Sequence, residues 1–208
     1  GQDNPPAEFI GEKLRMEPMV EFEVGSASIR SQYQGFFNAY NLLAAWAMSK
    51  TLGIEDPVIE KAFAAFRPQA GRMEYFEIQG QPCWLVLVKN PTGVNQSLST
   101  VLNGRGSKNL FFALNDNAQD GRDVSWIWDA DFEMLEAGDD DIVSMVCSGR
   151  RSGDIAVRIK YAGLKVDKIK IIPDLAKGIK STLEGKGQLN YILCTYTALF
   201  AARKIMVD

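Results

Sequence analysis

Ile142-Val143-Ser144-Met145-Val146-Cys147 runs directly into Ser148-Gly149-Arg150-Arg151-Ser152-Gly153-Asp154, and then into a stretch ending at Tyr161. An apolar run, a small polar turn and apolar residues at helical spacing predict a strand, a loop and a helix over Asp154 to Tyr161. The same order continues toward the carboxyl end. Strands are predicted over Lys168 to Ile172 and Leu189 to Leu193, and helices over Asp174 to Leu183 and Tyr196 to Ile205. Upstream, Leu110 to Asn115 and Ser125 to Phe132 read as two more strands. Such alternation argues for an α/β fold with a mostly parallel sheet and helices on both faces. In an open sheet of that kind, ligands and partners meet the loops at the carboxyl ends of the strands. Those loops are Asn90 to Asn95, Asp116 to Asp123 and Ser148 to Gly153.

The amino-terminal third is organised differently. Val20-Glu21-Phe22-Glu23-Val24 alternates apolar and charged residues, Gly25-Ser26 breaks it, and Ala27 and Ile29 resume it, which predicts a β-hairpin. Phe37, Tyr40, Leu43, Ala44, Ala47 and Met48 recur at helical spacing between Phe36 and Leu52, with Gly53 placed to stop the helix. A second helix is expected over Pro57 to Phe66, with Asp56 as its N-cap and proline at the first helical position. Arg67 to Arg72 contains Pro68 and Gly71 and reads as a connector, so a domain boundary is expected between residues 70 and 71. Beyond it, Met73 to Ile78 and Cys83 to Lys89 are expected to be strands joined across Gly80.

Composition narrows the function. The 208 residues are 46% apolar and 24% charged with a net charge of -3, enough for one large domain or one domain and part of another. The acidic balance leaves no basic face for a phosphate backbone, so no nucleic acid partner is expected. No apolar run approaches the roughly 20 residues that cross a bilayer, and Gly1 to Pro6 lacks the order of a signal peptide, so a cytoplasmic location is expected. Cys83, Cys147 and Cys194 stand far apart in apolar runs and read as reduced core thiols, with no metal site expected on them. The sequence contains no histidine. A self-contained Ser-His-Asp or Cys-His site is therefore impossible within it, and any such triad needs a second protein.

Three loops carry candidate chemistry. Lys89-Asn90-Pro91-Thr92-Gly93-Val94-Asn95 links a strand to a helix start, where backbone N–H groups and amide side chains cradle a phosphate or ribose; a turn that only caps the helix fits equally. Asn115 to Asp129 holds Asp116, Asp120, Asp123 and Asp129 beside Trp126 and Trp128. A carboxylate in that apolar setting is either paired within the fold or held to orient a cation, often an imidazolium, while Asp116 and Asp120 also suit turns and Asp123 a cap. The paired indoles favour an interface. Ser148 to Asp154 is a positively charged turn that suits an anion or a partner's carboxylates, or a solvated turn capped by Ser152 or Asp154. No G-x-x-x-x-G-K-[ST] phosphate loop occurs in the 208 residues.

Gly35-Phe36-Phe37-Asn38-Ala39-Tyr40-Asn41-Leu42-Leu43-Ala44-Ala45 resembles the segment of Mur ligases and folylpolyglutamate synthetases in which two asparagines, three apart, open a helix near the end of the ATPase domain. Gly71-Arg72-Met73-Glu74 resembles their interdomain Gly-Arg-x-Glu. Leu114-Asn115-Asp116-Asn117 and Asp120 through Glu133, with Cys147 to Arg151, Lys160 to Gly163 and Thr195 to Leu199, are similar to the MurT branch of that family. The likeness implies a Rossmann-like Mur ligase C-terminal domain over 71–208, preceded by the end of the central ATPase domain over 1–70, as an amino-terminally truncated piece.

It also implies an activity. The family amidates the D-glutamate α-carboxylate of the lipid II stem peptide at the membrane surface, with ATP and Mg2+ forming an acyl phosphate and a GatD-type glutamine amidotransferase partner supplying ammonia. The partner contributes cysteine and histidine, and the MurT side an aspartate; Asp129 is the expected residue, with Asp120 and Asp123 in reserve. Asn38, Asn41 and Arg72 are implied to contact nucleotide from the ATPase side, and Asn90, Thr92 and Asn95 to face ribose or phosphate from the other. Without a phosphate loop, these residues are expected to be inactive alone. Two other readings stay open: a Mur or folylpolyglutamate-type ligase joining an amino acid to a carboxylate, and a non-catalytic module that docks a partner through its tryptophan and arginine loops.

Overall fold

The computed structural model describes residues 6–16, 19–32, 35–67 and 70–207, so Gly1 to Pro5 and Pro68 of the connector lie outside the described residues. The chain forms two compact units, Gly1–Pro68 and Gln69–Asp208.

In the first unit, β1 (Glu12–Arg15), β2 (Val20–Val24) and β3 (Ala27–Ser31) make an antiparallel sheet in that order. Alternation decides its faces: Val20, Phe22, Val24, Ala27 and Ile29 point into a core, while Glu21 and Glu23 face outward toward Arg30 and Lys13. Gly25 turns the hairpin at φ 57°. Two helices, α1 (Phe36–Thr51) and α2 (Asp56–Ala65), close the core with Ala39, Leu42, Trp46 and Ile59. Asp56 is not the N-cap: that position belongs to Glu55, and Pro57 stands second in the helix. The Asp56 carboxylate instead accepts hydrogen bonds from Trp46 Nε1 (3.2 Å) and Ser26 Oγ (3.2 Å) and pairs with Lys50 at 3.1 Å. These contacts hold it below the usual carboxylate range, the Lys50 hydrogen bond being the largest cause.

The second unit is built on six strands, β4 (Glu74–Ile78), β5 (Gln81–Leu87), β6 (Lys108–Ala113), β7 (Ile142–Ser148), β8 (Ile169–Ile171) and β9 (Leu189–Cys194), in the order β4-β5-β9-β6-β7-β8. Only β4 runs antiparallel to its neighbour; the others pair in parallel. The expected mostly parallel sheet is therefore present. Period-two alternation splits each central strand between two cores. Leu110 and Phe112 of β6, Met145 and Cys147 of β7 and Tyr191 and Leu193 of β9 face α3 (Pro91–Asn103) and α5 (Ser152–Tyr161). Phe111, Ala113, Val146, Ile192 and Cys194 face α6 (Leu175–Leu183) and α7 (Tyr196–Val207). A short helix, α4 (Met134–Ala137), sits in the β6–β7 connection. The helix after β9 covers the opposite face from those associated with β5 and β7, which makes β9 the place where the winding reverses.

One expected strand is absent. Ser125 to Phe132 is not extended: Ser125–Trp128 is a 3-10 turn whose amides bond locally, Ile127 N to Val124 O (3.2 Å) and Asp129 N to Trp126 O (3.1 Å). The sheet has no slot for it, because β6 is already paired with β9 on one side and β7 on the other. Its buried residues, Ile127, Ala130 and Phe132, follow turn spacing rather than a period of two.

Candidate functional site

Thr195 at the end of β9 and Thr197 in the first turn of α7 organise the loop after β6. Asn115 N donates to Thr195 Oγ1 (3.0 Å), and the side-chain amides of Asn115 and Asn117 donate to Thr197 Oγ1 at 3.0 and 2.9 Å. Asp120 is buried at the centre. Its carboxylate accepts from Thr197 N (2.7 Å), Thr197 Oγ1 (2.6 Å) and Asn117 N (3.2 Å). A carboxylate with two oxygens so engaged at a helix start stabilises the helix dipole and fixes the loop.

The charged turn after β7 closes over the same loop. Arg150 N donates to Asn115 Oδ1 (2.9 Å), Arg150 Nε pairs with Asp116 at 3.1 Å, and Arg151 with Asp116 at 3.7 Å and Asp154 at 3.0 Å. Gly149 permits this approach: its φ is +82°, and a Cβ there would stand 2.6 Å from Leu114 O. Asp116, Asn117, Ala118, Arg122 and Arg150 line an open polar cavity of about 370 Å3.

Downstream the chain turns outward. Asp123 accepts from Ser125 N at 2.8 Å, a bond that holds its carboxyl below the usual range. Trp128 is 53% exposed, and its ring lies 6.1 Å from that of the exposed Tyr161. Asp129 follows, exposed, and among the described residues no hydrogen bond or ion pair engages its carboxylate. Nothing among those residues links it to Asp120 or Asp123 either.

The turn that carries Asp129 is anchored from two helices. Asp131 N donates to Asn95 Oδ1 on α3 (2.8 Å). From α5, the buried Arg158 donates Nε to Ile127 O (2.9 Å) and Nη2 to Ala130 O (2.7 Å) and Glu133 Oε2 (2.7 Å). Its guanidinium carbon lies 5.4 Å from the centre of the Trp128 ring and 5.2 Å from that of Phe132. Sequence reading overlooked Arg158. The signal was there: Ile155, Ala156, Ile159 and Ala162 set a buried stripe, and Arg158 lies on it.

The residues expected near nucleotide are distributed over both units. In the first unit Asn38 is buried in the first turn of α1 and Asn41 exposed in the second, with Asn41 Nδ2 donating to Asn38 Oδ1 (3.1 Å). In the second unit Arg72 is exposed, and neighbouring Glu74 braces the fold by pairing with Arg203 (2.9 Å) and accepting from Gly71 N (3.3 Å). Asn90 caps α3, its Oδ1 accepting from Gly93 N at 2.8 Å, which leaves its amide nitrogen and the exposed Thr92 hydroxyl turned to solvent at a helix N-terminus. Those donors suit a ribose or phosphate oxygen. Among the described residues no group of three or more acidic, cysteine or histidine side chains is arranged to hold a metal ion. The three cysteines are free and buried, burial pushing Cys83 and Cys147 up to about 12 and Cys194 higher still. No helix among the described residues is long and apolar enough to cross a membrane.

The model of the MurT ligase C-terminal family matches residues 87–199. The chain belongs to the MurT ligase family. It is 35% identical over 182 residues to the lipid II isoglutaminyl synthase (glutamine-hydrolyzing) subunit MurT of Staphylococcus aureus, covering 88% of this chain and 41% of that one. Against the subunit of the same name from Streptococcus pneumoniae it is 37% identical over 177 residues, covering 85% and 39%. The MurT chain thus spans about two fifths of the length of the curated relatives it matches. Its fold is shared with MurF from Acinetobacter baumannii, with a TM-score of 0.73 at 16% identity, covering 99% of this chain and 46% of that one.

Proposed function

We propose that this MurT chain is the carboxyl-terminal part of an ATP-dependent, glutamine-dependent amide ligase that amidates the D-glutamate α-carboxylate of lipid II, and that it lends Asp129 to the active site of a GatD-type glutaminase partner. In this reading residues 1–70 close the central ATPase domain and residues 71–208 form the C-terminal domain. The relatives' name, glutamine-hydrolyzing, supports glutamine as the ammonia source in this reading. The absence of histidine from these 208 residues fits that division of labour, since within them no imidazole can serve as a glutaminase base.

The observation that carries the proposal is the exposed, unengaged Asp129 carboxylate on a turn fixed by Arg158 and Asn95. An anion held at a fixed point on a surface orients a foreign imidazole and stabilises its protonated form. Asp120 is not suited to that role, because its oxygens are consumed by Thr197 and Asn117. Asp123 is exposed but spends one oxygen on Ser125 N.

ATP, when bound, would activate the substrate carboxylate as an acyl phosphate. In the second unit Asn90 and Thr92 offer donors to the nucleotide, with Arg72 and Asn95 as further proposed contacts, the Asn95 oxygen already accepting from Asp131 N; in the first unit Asn38 and Asn41 are the proposed contacts. The described residues present no acidic cluster for Mg2+, so no metal-binding role is assigned to them.

The test is reconstitution of the full-length subunit with its glutaminase partner, with ATP, Mg2+ and lipid II. Glutamine-dependent formation of isoglutaminyl product, lost on Asp129→Asn in an assembled complex, is the expected result. Product formed from a free amino acid, with glutamine unable to support the reaction, would assign the chain to the amino-acid-adding ligases instead.

A further inference from the structure

We propose that Arg158 is the positioning residue for Asp129, setting where that carboxylate stands for the partner's histidine; the proposal rests on the shared glutaminase site described above. The two carbonyls that Arg158 holds, Ile127 O at 2.9 Å and Ala130 O at 2.7 Å, bracket Trp128 and Asp129 in the chain. The segment between them protrudes, so its two end points determine the course of Trp128 and Asp129. Asp129 itself contributes only its amide, bonded to Trp126 O at 3.1 Å. A second constraint comes from the ring of Trp128, which the guanidinium addresses at 5.4 Å.

Arginine suits this task. The planar fork delivers N–H groups in fixed directions to two carbonyls and to Glu133 Oε2 (2.7 Å) at once, which a lysine ammonium on a flexible stem cannot reproduce. With Arg158 3% exposed, its bonds are shielded from water, so the carbonyls it serves have no ready substitute donor. The exposed acid therefore depends on a buried cation about thirty residues away in sequence (|i−j| of 31 to Ile127 and 28 to Ala130).

The experiment is glutamine hydrolysis by the full-length subunit assembled with its glutaminase partner, comparing Arg158→Met, Arg158→Lys, Asp129→Asn and the double variant Asp129→Asn with Arg158→Met. In complexes shown to be folded by circular dichroism and assembled by size-exclusion chromatography, Arg158→Met is expected to lower kcat roughly ten- to hundredfold, the scale of a catalytic group displaced by about 1 Å, with KM for glutamine unchanged. Arg158→Lys, which keeps the buried charge and is the usable variant if the methionine form does not fold, is expected to lose less. With the carboxylate displaced from the imidazole, the histidine loses stabilisation of its charged form. The acid limb of the kcat/KM profile then moves to lower pH.

In the Asp129→Asn background, Arg158→Met is expected to add no further loss, since the group it positions is already gone. A folded Arg158→Met or Arg158→Lys complex with wild-type kcat and pH profile overturns the positioning role and leaves the Asp129 assignment intact, as does a full additional loss in the double variant. Wild-type activity in Asp129→Asn alone overturns both.

Discussion

Asp120 and Asp129 lie nine positions apart in one block, yet their surroundings are opposite. Asp120 is buried and receives three hydrogen bonds from Thr197 and Asn117. Asp129 is exposed, and its carboxylate meets no partner among the described residues. The fold uses one acid to fasten the loop after β6 onto the start of α7, and leaves the other exposed at the surface. A carboxylate used for stability is surrounded by donors before any ligand arrives; one used for function must keep its acceptor capacity open. The comparison predicts that the two residues separate cleanly by experiment, one affecting activity and the other stability.

The largest effect is expected from Asp129→Asn. A neutral amide cannot stabilise an imidazolium, so glutamine hydrolysis by the assembled complex should fall by roughly three to four orders of magnitude, as when the acid of a triad is neutralised. Thermal unfolding of the variant should match the parent to within about 0.5 kcal/mol, since an exposed, unengaged side chain contributes little to stability. Activity close to wild type would remove the distinction between the two acids.

Asp120→Ala should do the reverse. Removing it leaves Thr197 N, the Thr197 hydroxyl and Asn117 N without their acceptor in a part-buried setting, at a cost of about 2–4 kcal/mol in urea unfolding. Any loss of activity should then track the unfolded fraction and disappear at temperatures where the variant is fully folded. A stable Asp120→Ala protein with abolished glutaminase activity would exchange the roles of the two acids. Thr197→Val probes the same network more gently. It deletes one hydroxyl that donates to Asp120 and accepts from Asn115 and Asn117, and is expected to cost about 1–2 kcal/mol while leaving the backbone bond from Thr197 N in place.

The alternation of strand and helix was legible because parallel strands buried on both faces are continuous apolar runs, and β7, with five of its seven residues in the order Val-Ser-Met-Val-Cys, states it within one local window. The loops at the strand ends were legible for the same reason. What could not be read was the conformation of Ser125 to Phe132, whose Trp-Ile-Trp imitates a strand. Its fate depends on the edges of β6 being occupied and on Arg158, which lies 31 positions beyond Ile127. The direction of each acid was hidden by the same non-locality: Asp120 turns inward because of Thr197, 77 positions away. The family resemblance pointed to Asp129 with Asp120 and Asp123 in reserve; the long-range bonds from Thr197 set Asp120 apart, and a local bond from Ser125 N engages Asp123.

The smallest predicted effect tests whether the outward-facing turn is braced by charge or by its backbone bonds. Glu133 pairs with Arg158 at 2.7 Å, and that hydrogen bond holds its carboxyl below the ordinary value of 4.5. A depressed folded-state value means the pair contributes stability above the unfolded pKa and loses it as pH falls through the folded one. The Glu133 side chain is 57% exposed, so solvent screens the contribution and Glu133→Gln should cost under about 1 kcal/mol at neutral pH. The difference between variant and parent should then vanish in acid, below the depressed value, where the parent's carboxylate is protonated as well. A larger cost, or one that persists in acid, would mean that Glu133 contributes through packing. A cost near zero throughout would mean that the bonds from Arg158 to Ile127 O and Ala130 O suffice to hold Asp129 outward, which sharpens the contrast with Asp120, whose own carboxylate accepts the bonds from Thr197 and Asn117.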